Sequence, residues 1–454
     1  MNVRLSRGAI SRPSKPVRIV HLGLGAFHRA HQAWFTAMAS DGQDWGIAAF
    51  SGRRPDAAAA LAAQGGLYTL IERAAEGDRA QIMDPLSQAH DGADVAALTR
   101  LVADPNVSIA TLTITEAGYG AGRAELSEAL RRDRDILRAR FADVHLRGRV
   151  DPVTPLGRLA LGLETRRRAD AGGLTIIACD NLPDNGGVTR DLLRMLLEPA
   201  GEQALEQFDK LIGVASASVD RITPRTTAVD REDALRLTGF ADAAPVVTEP
   251  FADWVIADAF RAPRPDWESA GVRIVDDLEP FERRKLWMLN GAHTLLATAG
   301  RARGHATVDA AMNDPVVGGW VEQLWDDAIR HLPAELGAEE YRVRLRSRFA
   351  NGRIRHLLDQ IALDTESKLR VRVIPLIRAE RAEGRSADAA TRAVASWIAD
   401  SARDDRAGVD AVRTALAGLD AELAGDEAYV DALAEAVHEE GAAGRAASSR
   451  VVVR

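Results

Sequence analysis

Between Phe281 and Ala297 the chain sets four groups able to hold or move a proton, Glu282, Lys285, Asn290 and His293, inside a run rich in Leu, Met, Trp and Ala. On an α-helix advancing about 100° per residue with Lys285 at zero, Glu282 falls at about 60°, Asn290 at about 140° and His293 at about 80°, so one face is expected to carry all four. An amide or imidazole left without partners among such neighbours costs on the order of 1–3 kcal/mol. One residue of this kind reads as a satisfied core histidine or a helix-to-helix hydrogen bond; four together point to a site. A lysine beside apolar walls loses hydration of its charged form and becomes a candidate general base. Glu282, one turn earlier, is placed to accept or relay the proton. Neutral amides suit an oxygen that passes between hydroxyl and carbonyl, because they add no titrating charge.

These groups need elements to hold them and a partner site to react with. The β-branched run Val17 to Gly23 reads as a buried strand, and Gly23 and Gly25 follow it as a tight turn into helical sequence from Ala33 to Ser40. Such a turn lets backbone N–H groups approach a pyrophosphate. The third glycine of the dinucleotide fingerprint is absent, since His28 stands there. Further strands are expected at Trp45 to Phe50, Ser108 to Thr115, Leu174 to Cys179 and Leu211 to Val219, with helical sequence between several of them. That alternation predicts an α/β fold: a doubly wound, Rossmann-like sheet. From about Asp276 the texture turns helical, at Leu286 to Ala299, Val316 to Arg330, Ala338 to Arg348 and Ala387 to Arg403. The expected division is residues 1–273 for the dinucleotide-binding domain and 274–454 for a mostly α-helical domain, ending in a loosely ordered Ala/Gly-rich tail at Gly441 to Ser449.

Composition narrows the function classes. The 454 residues carry 58 Lys+Arg against 66 Asp+Glu, a net charge of −8, with no long basic run, so nucleic acid is not expected as a partner. Cys179 is the single cysteine, which leaves no intrachain disulfide and fits a reducing, cytoplasmic setting. The segment up to Pro16 lacks the apolar core of a leader, and no apolar stretch is long enough to span a membrane. His28 and His31 are three apart, but no third ligand lies nearby and no metal is expected. A phosphoryl-transfer enzyme would need a G-K-[ST] signature, which is missing.

Lys285-x4-Asn290-x2-His293, taken with Gly23-x-Gly25-x-Phe27-His28-Arg29-Ala30-His31-Gln32, resembles the mannitol dehydrogenase family of long-chain polyol dehydrogenases, which includes fructuronate and tagaturonate reductases. The resemblance extends through Trp45-Gly46-Ile47, Gln64-Gly65-Gly66-Leu67-Tyr68-Thr69, Thr113-Ile114-Thr115-Glu116-Ala117-Gly118-Tyr119, Cys179-Asp180-Asn181-Leu182, Val219-Asp220-Arg221-Ile222-Thr223-Pro224 and Glu249-Pro250-Phe251. It implies a metal-independent, two-domain enzyme that moves a hydride between a nicotinamide and a sugar secondary alcohol or ketone. By that likeness Lys285 is the general base, Asn181 and Asn290 hold the reacting oxygen, His293 orients a neighbouring hydroxyl and Glu282 relays the proton. Asp220 and Lys368 are expected to reach the substrate, and Gly23, Gly25, Phe27, His28, Arg29 and Glu116 the cofactor.

Two departures bear on specificity. Where a ribose-binding acid is expected after the second strand stands Ser51-Gly52-Arg53-Arg54; NAD is the expected cofactor, with NADP open because arginines can accept a 2′-phosphate. The segment Asp364-Thr365-Glu366-Ser367-Lys368 departs from the family's D-G-S-x-K at Thr365 and Glu366 and continues into Arg370 and Arg372. Those arginines could pair a hexuronate carboxylate, which a neutral hexitol would not need. With the wording around Lys285, this leans towards a fructuronate reductase (mannonate oxidoreductase), the alternatives being a mannitol 2-dehydrogenase and, in another class, a non-catalytic dinucleotide sensor. A small sugar substrate and a monomer or small homo-oligomer complete the expectation.

Overall fold

A computed structural model describes residues 3–52, 54–114, 119, 127–142, 150–354, 356–401 and 408–451, the side chains of 443 and 445–451 excepted. Its first compact unit, Met1–Leu278, is built on eight strands whose apolar runs explain their place: Gly46–Phe50, Ile109–Leu112 and Leu174–Ala178 are buried at every residue, as strands covered on both faces must be. Apart from the short parallel pair Val3–Arg4 and Phe240–Ala241, the strands of this main sheet and of a smaller one are, in chain order, β1 (Val17–Leu22), β2 (Gly46–Phe50), β3 (Tyr68–Ala74), β4 (Gly77–Met83), β5 (Leu86–His90), β6 (Ile109–Leu112), β7 (Leu174–Ala178), β8 (Ile212–Asp220), β9 (Val246–Thr248), β10 (Asp253–Ala257) and β11 (Arg273–Val275).

The main sheet runs β11-β10-β8-β7-β6-β1-β2-β5, and all its pairs are parallel except β10 against β8. From β7 to β5 this is the doubly wound order, in which β1 sits beside β6 and the winding reverses between them. Leu22 at the end of β1 is in register with Phe50 on one side and Leu112 on the other, so three strand ends open together at the switch point. The expected Rossmann-like fold is therefore the observed one. The small sheet β9-β3-β4 and the antiparallel return of β10 lie outside the expected elements. Arg273–Val275 pairs with β10, which ties the stretch just past the expected boundary to the first unit's sheet.

The second unit, Glu279–Arg454, is helical. Its helices include Glu279–Arg284, Gly291–Leu295, Pro315–Arg330, Ala338–Phe349, Thr365–Arg372, Asp388–Ser401 and Glu427–Val451. The tail expected to be loose is the end of that last helix: alanines at 442, 443, 446 and 447 outweigh the glycines at 441 and 444. Inside the unit the buried carboxylate of Glu380 takes hydrogen bonds from Arg330, His331 and Arg385, which hold it down at about 2 against the cost of burial. Among the described residues no helix is long and apolar enough to cross a membrane.

Candidate functional site

At the switch point of the first unit the three strand ends open on a crevice of about 750 Å³, within the range of cofactor clefts. The two glycines of its turn differ in why they are glycine. Gly23 has φ +111°, and a Cβ there would lie 2.0 Å from the Thr113 carbonyl oxygen, so the sheet itself forbids a side chain. Gly25 has φ −139°, and its Cβ would meet only the Gly23 carbonyl oxygen, at 3.5 Å. Packing does not demand a glycine at 25. This pair suits a pyrophosphate crossing the end of β1.

The helical sequence behind the turn is broken at His31 (φ −117°, ψ −91°) into Ala26–Ala30 and Gln32–Met38. Two of the expected cofactor contacts turn away from the crevice. His28 is wholly buried, its ring stacked on His21, so a flat imidazole fills the place of the third glycine, where helix and strand come close. Arg29 is buried too; its guanidinium bonds the carbonyls of Gly25 and Ala244 and lies over the Tyr68 ring, bracing the turn. Phe27 is half-buried and stacks on His31, whose Nε2 bonds the Asp253 carbonyl oxygen. Among the described residues no cluster of three or more His, Cys, Asp or Glu could hold a metal. Glu116, also expected at the cofactor, lies outside the described residues.

Asn181 follows β7 and is exposed; Asp220 ends β8 and is buried. The sequence reading gave no role to the residues that fix this corner. The amide of buried Asn185 donates to the carbonyls of Asp180 and Ala217 and accepts from the Ala217 N–H, clamping the end of β7 to β8. The Tyr119 hydroxyl donates to the Asp180 carboxylate, whose pKa burial pushes up to about 7 against the lowering effect of that bond. A polar cluster in two motifs already quoted, Thr113 to Tyr119 and Cys179 to Leu182, was the signal available for them.

In the second unit Lys285, Asn290 and His293 lie on one continuous helical run, but it is not uniformly α. Lys285–Asn290 and Leu296–Gly300 are π-helical turns flanking Gly291–Leu295. A π turn bonds residue i to i+5 and takes roughly 4.4 residues, so Asn290 comes to within about 50° of Lys285 rather than about 140° away as an α-helix would set it. Side-chain donors serve carbonyls along the run: Trp325 Nε1 bonds Met288, Thr294 bonds Asn290 and Thr298 bonds Thr294. Arg284, buried under the Tyr341 ring and bonded to the Leu336 carbonyl, anchors the start.

Glu282, Lys285 and Asn290 are half-buried, whereas His293 is buried against the rings of Phe349 and His356, with its Nδ1 lacking a hydrogen-bond partner among the described residues. Burial, then His356, Arg348 and Arg372, hold its pKa well below the usual imidazole range, so the ring is neutral near pH 7. Arg372 is thus close enough to act on the His293 ring through its charge. Arg370 is engaged elsewhere: it pairs with Glu366 and the Gly418 carbonyl, which corrects its expected part in binding a carboxylate. Lys368, expected at the substrate, bonds the carbonyls of Ile361 and Leu363, closing the end of the preceding short helix.

Sequence-family models describe the two halves of the chain as a mannitol dehydrogenase Rossmann domain, over residues 17–269, and a mannitol dehydrogenase C-terminal domain, over residues 277–441. A D-arabinitol 4-dehydrogenase of Ralstonia nicotianae is 36% identical over 376 residues, covering 80% of this chain and 78% of its own. A mannitol 2-dehydrogenase of Aspergillus clavatus is 33% identical, over 79% and 73%. Among solved structures, the Pseudomonas fluorescens mannitol 2-dehydrogenase in ternary complex with NAD and D-mannitol superposes with a TM-score of 0.75 at 28% identity, covering 100% of this chain and 97% of that one. A substrate-free D-sorbitol dehydrogenase gives 0.79 at 28% identity, over 87% and 85%.

Proposed function

From the premise that this chain belongs to the mannitol dehydrogenase family, we propose that it interconverts a sugar secondary alcohol and the corresponding ketone, with NAD as the dinucleotide and Lys285 as the general base. The observation that carries the reading is the π turn that brings Asn290 round to within about 50° of Lys285 on one face of the run, followed by a buried, neutral His293 with an unused Nδ1.

The crevice of the first unit fits a dinucleotide through Gly23, which the sheet keeps free of a side chain, and Gly25, which leaves the turn bare where a pyrophosphate would cross. When bound, the nicotinamide supplies or takes the hydride. The chain's own residues handle the proton and the oxygen. Lys285 takes the proton from the substrate hydroxyl in oxidation and returns it in reduction, and Glu282, one turn earlier, relays it. The Asn290 amide donates to the reacting oxygen without adding charge, and the neutral His293 ring bonds an adjacent hydroxyl through Nδ1. Asn181 and Asp220 are the first unit's contributions by the family likeness. No step in this reading needs a metal.

For the substrate we propose a ketouronate and its aldonate, the fructuronate reductase reading. Arg372 and Arg348 both act on His293, a cationic setting that favours a carboxylate beside the sugar hydroxyls. A second reading, mannitol and fructose, is favoured by the relatives, whose names give neutral polyols. Reduction rates on fructuronate and on fructose with one dinucleotide decide between them: kcat/KM at least tenfold higher on fructuronate is expected, and preference for fructose selects the second reading. No turnover of either sugar or of related polyols would sink both.

A further inference from the structure

The wall of the crevice beyond β2 is charged in a way the glycine turn does not explain. After β2 the chain reads Ser51-Gly52, and Arg54 follows on the crevice lining, exposed and without an ion-pair partner among the described residues. The loop after β5 lies directly against it: a Cβ on Gly92 would come 2.0 Å from the Ser51 carbonyl oxygen, and the Gly92 N–H donates to Ser51 Oγ, which leaves the hydroxyl proton available to a ligand. Arg158 reaches the same wall from the helix Pro155–Arg168. Its Nη1 is fixed on the Gly92 carbonyl and its Nε on the Pro152 carbonyl at 3.0 Å, so the guanidinium is oriented before any ligand arrives.

In a doubly wound sheet the residues after the second strand meet the adenosine ribose; a carboxylate there accepts from the free diol, and arginines there take a 2′-phosphate. Resting on the dinucleotide reading above, we propose that this wall is a receptor for the 2′-phosphate, built from Arg54, Arg158 and Ser51, so that the crevice takes NADP(H) as well as NAD(H). Two guanidiniums and a hydroxyl donor match a phosphate dianion in charge and in hydrogen bonding. Asp91 is the acid on the same lining; its Oδ1 accepts from the Ala93 N–H in a tight turn. It serves a ribose hydroxyl, which is why the bare diol is not rejected.

The test is equilibrium binding, followed by quenching of tryptophan fluorescence, with NADH and NADPH, and by calorimetry with 2′,5′-ADP and 5′-AMP. The wild-type chain is expected to bind NADPH within about tenfold of NADH and 2′,5′-ADP more tightly than 5′-AMP. Arg54→Ala should weaken NADPH and 2′,5′-ADP by about tenfold or more, the usual loss for one charge-assisted contact, while NADH moves less than about threefold. Arg158→Lys, which keeps a cation but loses the fixed fork, should show the same selectivity, with an unchanged melting temperature as the control for folding. Tight NADH binding with NADPH more than about a hundredfold weaker would overturn the proposal and leave the dinucleotide reading intact. Equal losses for both dinucleotides in Arg54→Ala would overturn it as well. Binding of neither dinucleotide would overturn the reading beneath it.

Discussion

The imidazole rings of His21 and His28 lie face to face, their centroids 3.3 Å apart and their planes 7° from parallel. His21 bonds Thr111 Oγ1 through Nδ1 at 2.8 Å and Thr113 Oγ1 through Nε2 at 3.1 Å, at the end of the strand that carries the glycine turn. Thr113 Oγ1 also bonds the Gly23 carbonyl oxygen. A proton on either ring would be buried against the other, so the helix behind the turn is docked on a pair that must stay neutral.

Acid should weigh on this docking before it reaches the ordinary carboxylate range. Burial takes His21 down to about 3, and burial with the neighbouring His21 and Arg29 takes His28 well below the ordinary 6.5. Both folded-state values lie under the unfolded one, so the unfolded chain binds more protons below pH 6.5 and stability falls as pH drops through that window. For His21 alone the loss at pH 5 is about 2 kcal/mol. The Asp180 carboxyl, raised to about 7 by burial, works in the opposite sense over the same range, so the stack is read by difference: between pH 7.5 and 5 the melting temperature of the wild type should fall relative to that of His28→Phe. An equal slope in the variant removes the stack from the explanation.

The two glycines of the turn should separate folding from binding. Gly23→Ala forces a Cβ into the Thr113 carbonyl at a backbone angle that side chains rarely adopt, and should cost at least about 2 kcal/mol of stability. Gly25→Ala meets no such contact, so its melting temperature should stay within about a degree of wild type while NADH affinity drops about tenfold or more. If Gly25→Ala binds NADH normally, the dinucleotide does not pass over residue 25.

Much of this was legible in the sequence, because buried parallel strands announce themselves as short apolar runs and the main helices of the second unit by their periodicity. Val17 to Gly23 and Leu174 to Cys179 became strands within a residue of expectation. What the sequence did not show depends on non-local partners. The π turn at Lys285–Asn290 is supported by Trp325, 37 residues on from Met288, and no local pattern reports that bond. His28 read as a cofactor contact because its partner, His21, sits on a strand whose inward-facing positions look apolar only once the fold is known. Arg370 and Arg372 are indistinguishable as letters; a glutamate one turn away and the Gly418 carbonyl occupy the first, while the charge of the second reaches His293.

Arg372 should therefore act on acidic sugars only. Replacing it with leucine removes a cation whose charge acts on a neutral histidine, so the KM for a ketouronate should rise about tenfold or more while the KM for fructose changes little. Arg370→Leu, whose charge is already paired at the surface, should leave both unchanged. Steady-state kinetics on the two sugars reads the outcome, and equal effects of Arg372→Leu on both would remove the carboxylate from its role.

The strongest test concerns the amine of Lys285. Lys285→Ala should lower kcat by about 10²–10⁴-fold, the usual loss for a general base, with NADH affinity unchanged because the crevice lies in the other unit of the chain. A collapsed helix would produce the same loss, so the variant's melting temperature must stay near wild type and added primary amines should restore part of the rate, more with rising pH as their free-base fraction grows. Lys285→Arg, which keeps charge and bulk but titrates far above neutral pH, should not restore it. Activity in Lys285→Ala near the wild-type level would assign proton transfer to another group, with the Asp180 carboxyl near 7 the first to examine.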